Sequence, residues 1–165
     1  MILLSGEGFL LRKDPMGDYT KVIGEPLGHG MCMEVYEFIH NPLLVVKVPT
    51  WCGLPNWREK ALETCGRNQI AWRMLAHSQY SKFFAPIVGR GDNYILQMRV
   101  QHIEDPQKYR EELVPYWLTD TKPRNFGILN GLFVCVDYAG DDVPLHIDNH
   151  EVLHLKQLNW GNRAR

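Results

Sequence analysis

Two short apolar runs, 126–129 and 132–136, are separated only by Asn130-Gly131. A two-residue turn between antiparallel strands needs positive φ at both central positions. Asn followed by Gly tolerates this best, so the segment is expected to close as a tight β-hairpin. Such a hairpin returns the chain to where it started. It sets Asn125, just before the first run, beside Asp137, just after the second. Two oxygen-bearing side chains therefore share the open end of the hairpin, whatever the rest of the chain does.

Upstream, β-type patterning dominates. Residues 19–27 lead into Gly28-His29-Gly30, and residues 33–39 resume as a strand. His40-Asn41-Pro42 reads as a turn, and 43–48 is a β-branched run containing Lys47. These segments predict an antiparallel meander. A helix is predicted from Asn56 to Leu75, with Asn56 as N-cap after Pro55 and Glu59 completing a capping pair. Leu62, Cys65, Gln69, Trp72 and Leu75 then fall on one face. Gly66 weakens the middle of that helix by up to about 1 kcal/mol relative to alanine and marks a place for a kink. Residues 83–88 and 94–100 predict two more strands across the turn cluster 89–93.

Beyond Val100, Asp105-Pro106 predicts a short helix running to Trp117, with proline in its first turn. Residues 149–158, with Val152, Leu155 and Leu158 at helical spacing, predict a last helix. Five strands and one helix followed by a smaller half make an α+β chain with a cleft between the halves.

At 165 residues the chain can bury one good core. Its 45% apolar and 22% charged residues exclude disorder, and a net charge of -1 argues against a nucleic-acid partner. Cys32, Cys52, Cys65 and Cys135 form no CxxC pair, which favours reduced thiols. No signal-peptide core follows the first methionine, and no apolar run is long enough to cross a bilayer. The expectation is a cytoplasmic protein with no membrane contact.

Four motifs stand in order along the chain: Leu27-Gly28-His29-Gly30 with Val35-Tyr36; Val45-Val46-Lys47; Asp120-Thr121-Lys122-Pro123-Arg124-Asn125; and Asp137-Tyr138-Ala139-Gly140. Together they resemble the phosphate loop, third-strand lysine, catalytic loop and metal-binding aspartate of protein kinases. The resemblance covers about residues 22–140. It implies an α+β, two-lobed protein-kinase-like fold in a single domain. The N-terminal lobe, about 1–100, would hold a five-stranded sheet with one helix, and the C-terminal lobe, 101–165, would be much reduced.

The resemblance implies ATP and Mg2+ as cofactors. Gly28 and Gly30 would cover the phosphates, Val35 the adenine, and Lys47 would contact the α- and β-phosphates. Met98 would be the gatekeeper, with Val100 in the hinge. Asp120 would accept the proton of the attacking hydroxyl, Lys122 would steady the γ-phosphoryl, and Asn125 and Asp137 would hold magnesium. The implied activity is Ser/Thr-type phosphoryl transfer to a protein hydroxyl, with a protein as substrate or partner. A chain this short resembles the minimal kinases of bacterial effectors and phages.

Several positions depart from the kinase pattern. Met33 replaces the third glycine of the phosphate loop, and the place of the helix glutamate that pairs with the lysine falls near Asn68, with Glu59 and Glu63 one to two turns earlier. Leu118-Thr119 replaces the usual His-Arg before the catalytic aspartate. About twenty residues separate the hinge from Asp120 and 25 follow Gly140, so the peptide-docking elements are expected to be absent. These departures keep open a pseudokinase that binds nucleotide or only a protein partner, gripping it near Trp51 and Trp57 or through the last helix. A third reading comes from His150-Glu151-Val152-Leu153-His154, the helical pattern of zinc hydrolases. Its extended form fails, because Gln157 and Trp160 occupy the places of the further glycine and histidine.

Overall fold

Five strands of the first hundred residues pair as one antiparallel sheet. They are β1 (Ile23–His29), β2 (Met33–Phe38), β3 (Leu44–Pro49), β4 (Ile87–Arg90) and β5 (Ile95–Met98), in the order β1-β2-β3-β5-β4. The computed structural model describes residues 22–30, 33–50, 53, 55–91, 94–138, 143, 152–158 and 160. One helix, α1 (Trp57–Leu75), crosses between β3 and β4. The α+β expectation of a five-stranded sheet with a single helix holds.

Register decides which side chains share a face, because cross-strand partners point the same way and neighbours along a strand point oppositely. Val35 lies opposite Lys47, and Lys47 opposite Ile95; Glu37 lies opposite Val45, and Val45 opposite Gln97. These residues form one face, which α1 covers at one end through a small core of Met33, Cys65 and Ile95. The opposite face buries Phe38, Val46, Val48 and Leu96 with Tyr94. Gly66 leaves α1 unbroken over its 19 residues. Asn56 occupies the N-cap position, yet its side chain makes no capping bond. Glu59 in the first turn favours the helix dipole instead.

The described residues of the second half form short strands and 3-10 turns. Strand β6 (Gln101–His102) joins β8 (Phe126–Leu129) and β9 (Leu132–Cys135) in a three-stranded sheet, while β7 (Leu113–Pro115) pairs with β10 (Leu155–Gln157). The helix expected over 105–117 reduces to one 3-10 turn, Pro106–Tyr109, capped by Asp105 accepting from the Gln107 N–H at 3.1 Å. Pro115 explains the early stop: within a helix its ring would strike the carbonyl of Glu111.

The last helix is also absent among the described residues. Residues 155–157 form β10, and Val152, which a helical face would have buried, is 79% exposed. The remainder of that predicted helix, 149–151, lies outside the described residues. Two expected strand boundaries also move: residues 81–83 form a 3-10 turn, and β4 continues through Gly89 to Arg90.

The largest core runs from α1 into the second half, gathering Ala71, Leu75, Tyr80, Phe84, Trp117, Leu118, Phe126, Cys135 and Tyr138. Aromatic rings dominate it. Phe84 stacks on Trp117 at 5.5 Å and meets the edge of Tyr138 at 5.0 Å, while Phe126 stacks on Phe133 at 4.8 Å. Such pairs contribute about 0.5–1.5 kcal/mol each beyond their burial.

Candidate active site

The segment from Asp120 to Asn125 is a closed loop. Pro123 starts a single 3-10 turn, Pro123–Asn125, in which the Asn125 N–H donates to the Lys122 carbonyl at 2.9 Å. The Asn125 side chain is buried, and its amide nitrogen donates to the backbone carbonyl of Asp120 at 3.1 Å. This bond leaves the amide oxygen as the group Asn125 can offer elsewhere. The Asp120 carboxylate stays at the surface, 39% exposed, with the Lys122 ammonium 3.0 Å away. An ion pair so exposed adds little stability. It does keep a carboxylate and an ammonium together at the mouth of the loop.

The hairpin that follows is built as the Asn-Gly pair demands, with φ of 52° at Asn130 and 81° at Gly131. It pairs Phe126 with Cys135, and the next residue, Val136, donates its N–H to the Asn125 carbonyl at 2.8 Å. The carbonyl of the same Val136 accepts the Lys47 ammonium at 2.6 Å. Residue 136 therefore joins β3 of the sheet to the loop carrying Asn125, with Asp137 the next residue along.

Burial between the two halves pushes the Lys47 ammonium below the ordinary lysine value, and the nearby Asp137 carboxylate and Cys135 oppose that shift. The helix does not supply the missing carboxylate. Asn68 is buried, and its amide donates to the Thr64 carbonyl of its own helix at 3.1 Å.

The phosphate-loop end is looser. Gly28 and Gly30 are exposed, the β1–β2 pairing is irregular between Pro26 and Gly28, and the Gly30 N–H reaches the Met33 carbonyl at 2.7 Å. A side chain at Gly28 would meet nothing within 4 Å. Val35 sits opposite both Gly28 and Lys47, on the lysine's face. Met33 does not crowd the loop, because its side chain is buried beneath the sheet against Cys65 and Ile95. An open depression lined by Pro26, Leu27, Gly28, His29, Glu34 and Tyr36 includes neither Lys47, Asn125 nor Asp137. There Glu34 accepts from the Tyr36 hydroxyl at 2.6 Å and the Thr50 hydroxyl at 3.0 Å.

Along β5 the register assigns the faces. Met98 pairs with Leu44, which turns its side chain away from Lys47. Gln97, paired with Val45, takes the lysine's face and is 1% exposed. The structure therefore does not bring the Met98 side chain to the rest of the site, and it adds Gln97, which alternation alone could not assign without the register. Val100 lies across Gly127 of β8: a Cβ at Gly127 would fall 2.2 Å from the Val100 Cγ2. That contact joins the hinge segment to the floor of the second half.

The zinc-hydrolase pattern finds no helix. His154 is in extended chain, its ring against Tyr116 at 5.8 Å, and His150 and Glu151 lie outside the described residues. Among the described residues no group of three or more His, Cys, Asp or Glu could hold a metal ion. Ala139, Gly140 and Trp51 also lie outside them. No helix of the described residues is long and apolar enough to cross a membrane.

No protein-family model and no curated protein matches this chain. Among solved structures it is similar to the streptomycin-ATP-APH(2")-IIa ternary complex, at 18% identity and a TM-score of 0.41. The alignment covers 66% of this chain and 33% of that one, so the chain spans a third of the matched protein's length. Likeness at that level leaves the site to be argued from its own geometry.

Proposed function

We propose that the cleft between the sheet and the second half binds ATP with magnesium and transfers the γ-phosphoryl to a protein Ser/Thr hydroxyl, as a reduced, kinase-like cytoplasmic enzyme. The observation that carries this reading is the convergence at Val136, whose peptide groups take Lys47 from one half and Asn125 from the other. The Lys47 ammonium and the main chain next to Asn125 and Asp137 thereby meet at one residue, which supports phosphoryl transfer by electrostatic positioning.

In this reading Lys47 holds the α- and β-phosphates, and the exposed main chain at Gly28 and Gly30 covers them. Val35 and Val100 border the base, with Met98 contributing main chain. Asp120 orients the acceptor hydroxyl and takes its proton as the oxygen bonds to the γ-phosphorus. The bond to the bridging oxygen breaks, and ADP departs with the electron pair. Lys122 steadies the γ-phosphoryl. The donor set of Asn125 and Asp137, one amide oxygen and one carboxylate, suits a hard cation that keeps water and phosphate as its other ligands. Magnesium there would neutralise charge on the phosphates. Because the Asp120 carboxylate stands at the surface rather than in a closed pocket, a bulky acceptor such as a folded protein can reach it.

A second reading is a nucleotide-binding pseudokinase acting as a protein-binding module. The observation favouring it is that α1 supplies Lys47 with no carboxylate, since Asn68 is bonded to its own helix. One experiment separates the two. Purified protein is incubated with γ-labelled ATP, magnesium and candidate acceptors, beside Asp120→Ala, Asp137→Ala and Lys47→Ala. Transfer above the Asp120→Ala background, at least 100-fold lower in each variant, is expected. Label no greater than that background ends the enzyme reading, and stabilisation by nucleotide without turnover supports the module.

A further inference from the structure

The strand end carrying Asp137 is held from both sides by one residue of another segment. The Ala85 N–H donates to the Cys135 carbonyl at 2.9 Å, and the Ala85 carbonyl accepts the Tyr138 hydroxyl at 3.1 Å. Ala85 thus uses both of its peptide groups to grip the residues flanking the Val136-Asp137 pair. A second donor reaches the same carbonyl: the Gln97 amide nitrogen, from β5, at 3.1 Å. Tyr138 and Gln97 are both buried.

Two features are not explained by packing. The Tyr138 ring meets Phe84 in a T-shaped contact, which phenylalanine would make equally well, so the hydroxyl serves its hydrogen bonding, to the Ala85 carbonyl and with the Gln97 amide. Gln97 retains a buried amide oxygen with no partner among the described residues. An unpaired buried carbonyl is unfavourable, and methionine would fill the same space without it. Both costs are tolerated where a polar group fixes a position rather than adding stability.

We propose that Tyr138 and Gln97 are positioning residues: their donors, meeting on the Ala85 carbonyl, fix the main chain that carries the Asp137 carboxylate and so set the affinity of the site for a divalent cation. The inference rests on the reading above in which Asp137 is a magnesium ligand. Outer partners that orient a metal-binding side chain commonly change metal affinity by about 10–100-fold when mutated. The ties at Cys135 and Val136 remain in either variant, so the change is one of alignment and not of chain path.

The test is Mn2+ binding to the full chain, followed by electron paramagnetic resonance with a non-hydrolysable ATP analogue present. Wild type, Tyr138→Phe, Gln97→Met and Asp137→Asn are compared well below their melting temperatures. Wild type is expected to bind Mn2+ and Asp137→Asn to lose it. Tyr138→Phe and Gln97→Met are each expected to bind about tenfold more weakly, with metal-free affinity for the analogue unchanged in Tyr138→Phe. Wild-type Mn2+ affinity in both variants, with or without a lower melting temperature, overturns the inference while leaving the functional reading intact. No Mn2+ binding by wild type overturns both. Should one variant fail to fold, the other removes the second donor to the same carbonyl and decides the matter alone.

Discussion

The two ends of the cleft are built differently. At the Asp120–Asp137 end, Asn125, Val134, Cys135 and Tyr138 are buried, and consecutive residues are tied to α1's neighbour segment, to β3 and to the loop itself. At the phosphate-loop end, residues 25–30 are all exposed, the strand pairing slips, and Leu27 is 41% exposed. The first end is shaped by the protein alone. The second is the exposed edge of the sheet, paired there with β2 alone, and such solvent-exposed edges are where a chain opens locally. Under the proposed function, a carboxylate meeting a metal ion tolerates little displacement, whereas a loop lying over a nucleotide must open to admit it.

The largest effect that would break this contrast is expected at Gly127. A Cβ there would fall 2.2 Å from Val100 Cγ2 and 2.9 Å from the Gln101 carbonyl oxygen. Gly127→Ala should destabilise the protein by about 3 kcal/mol in denaturant unfolding. Adding Val100→Ala should recover only part of this, because the Gln101 carbonyl remains. Unchanged stability would show that the hinge is not seated on β8.

Lys47→Met tests the bond across the cleft. It should weaken ATP binding by tenfold or more, about 1.4 kcal/mol, measured by calorimetry. It should also change the alkaline stability profile. Burial lowers the folded-state value of Lys47 below 10.5, so the unfolded chain holds the extra proton between the two values. Stability of the wild type therefore rises with pH from the folded value up to 10.5 and falls as pH drops through that window. The methionine variant should lack this slope in unfolding curves taken across the range.

Smaller effects sharpen the comparison. Gly66 lies mid-helix with open space where a side chain would go, and Gly66→Ala should stabilise the fold by about 0.5–1 kcal/mol in thermal unfolding. Gly28→Ala should leave stability within about 0.5 kcal/mol, since no atom lies near the new methyl. Its effect should be confined to nucleotide affinity. A large loss of stability from Gly28→Ala would mean that the phosphate-loop end is as firmly built as the other.

Much of the fold was legible because its signals are local. Asn56 to Leu75 carries enough helical spacing and few enough breakers that α1 follows from it, even though the expected capping bond does not form. What escaped the sequence depends on distant partners. The spacing of Val152, Leu155 and Leu158 fits a helix, yet β7 pairs its backbone with residues 155–157, and Tyr116 and Glu112 bond to the residues on either side. The same pairing leaves His154 of the zinc pattern outside any helix, while His150 and Glu151 lie outside the described residues. Asn68 stands near the place of a lysine partner in spacing, but its amide found a carbonyl within its own turn.

The hairpin of Asn130-Gly131 was determined by the chain itself, since two adjacent positive φ values select those residues and the turn then sets Asn125 opposite Val136, the residue before Asp137. The tertiary structure alone decided that Lys47 reaches the Val136 carbonyl, and that Gln97 rather than Met98 shares the lysine's face. The physical reason is strand register. A shift of one residue turns every side chain to the other face, and the pairing that forbids it is made with strands far away in sequence.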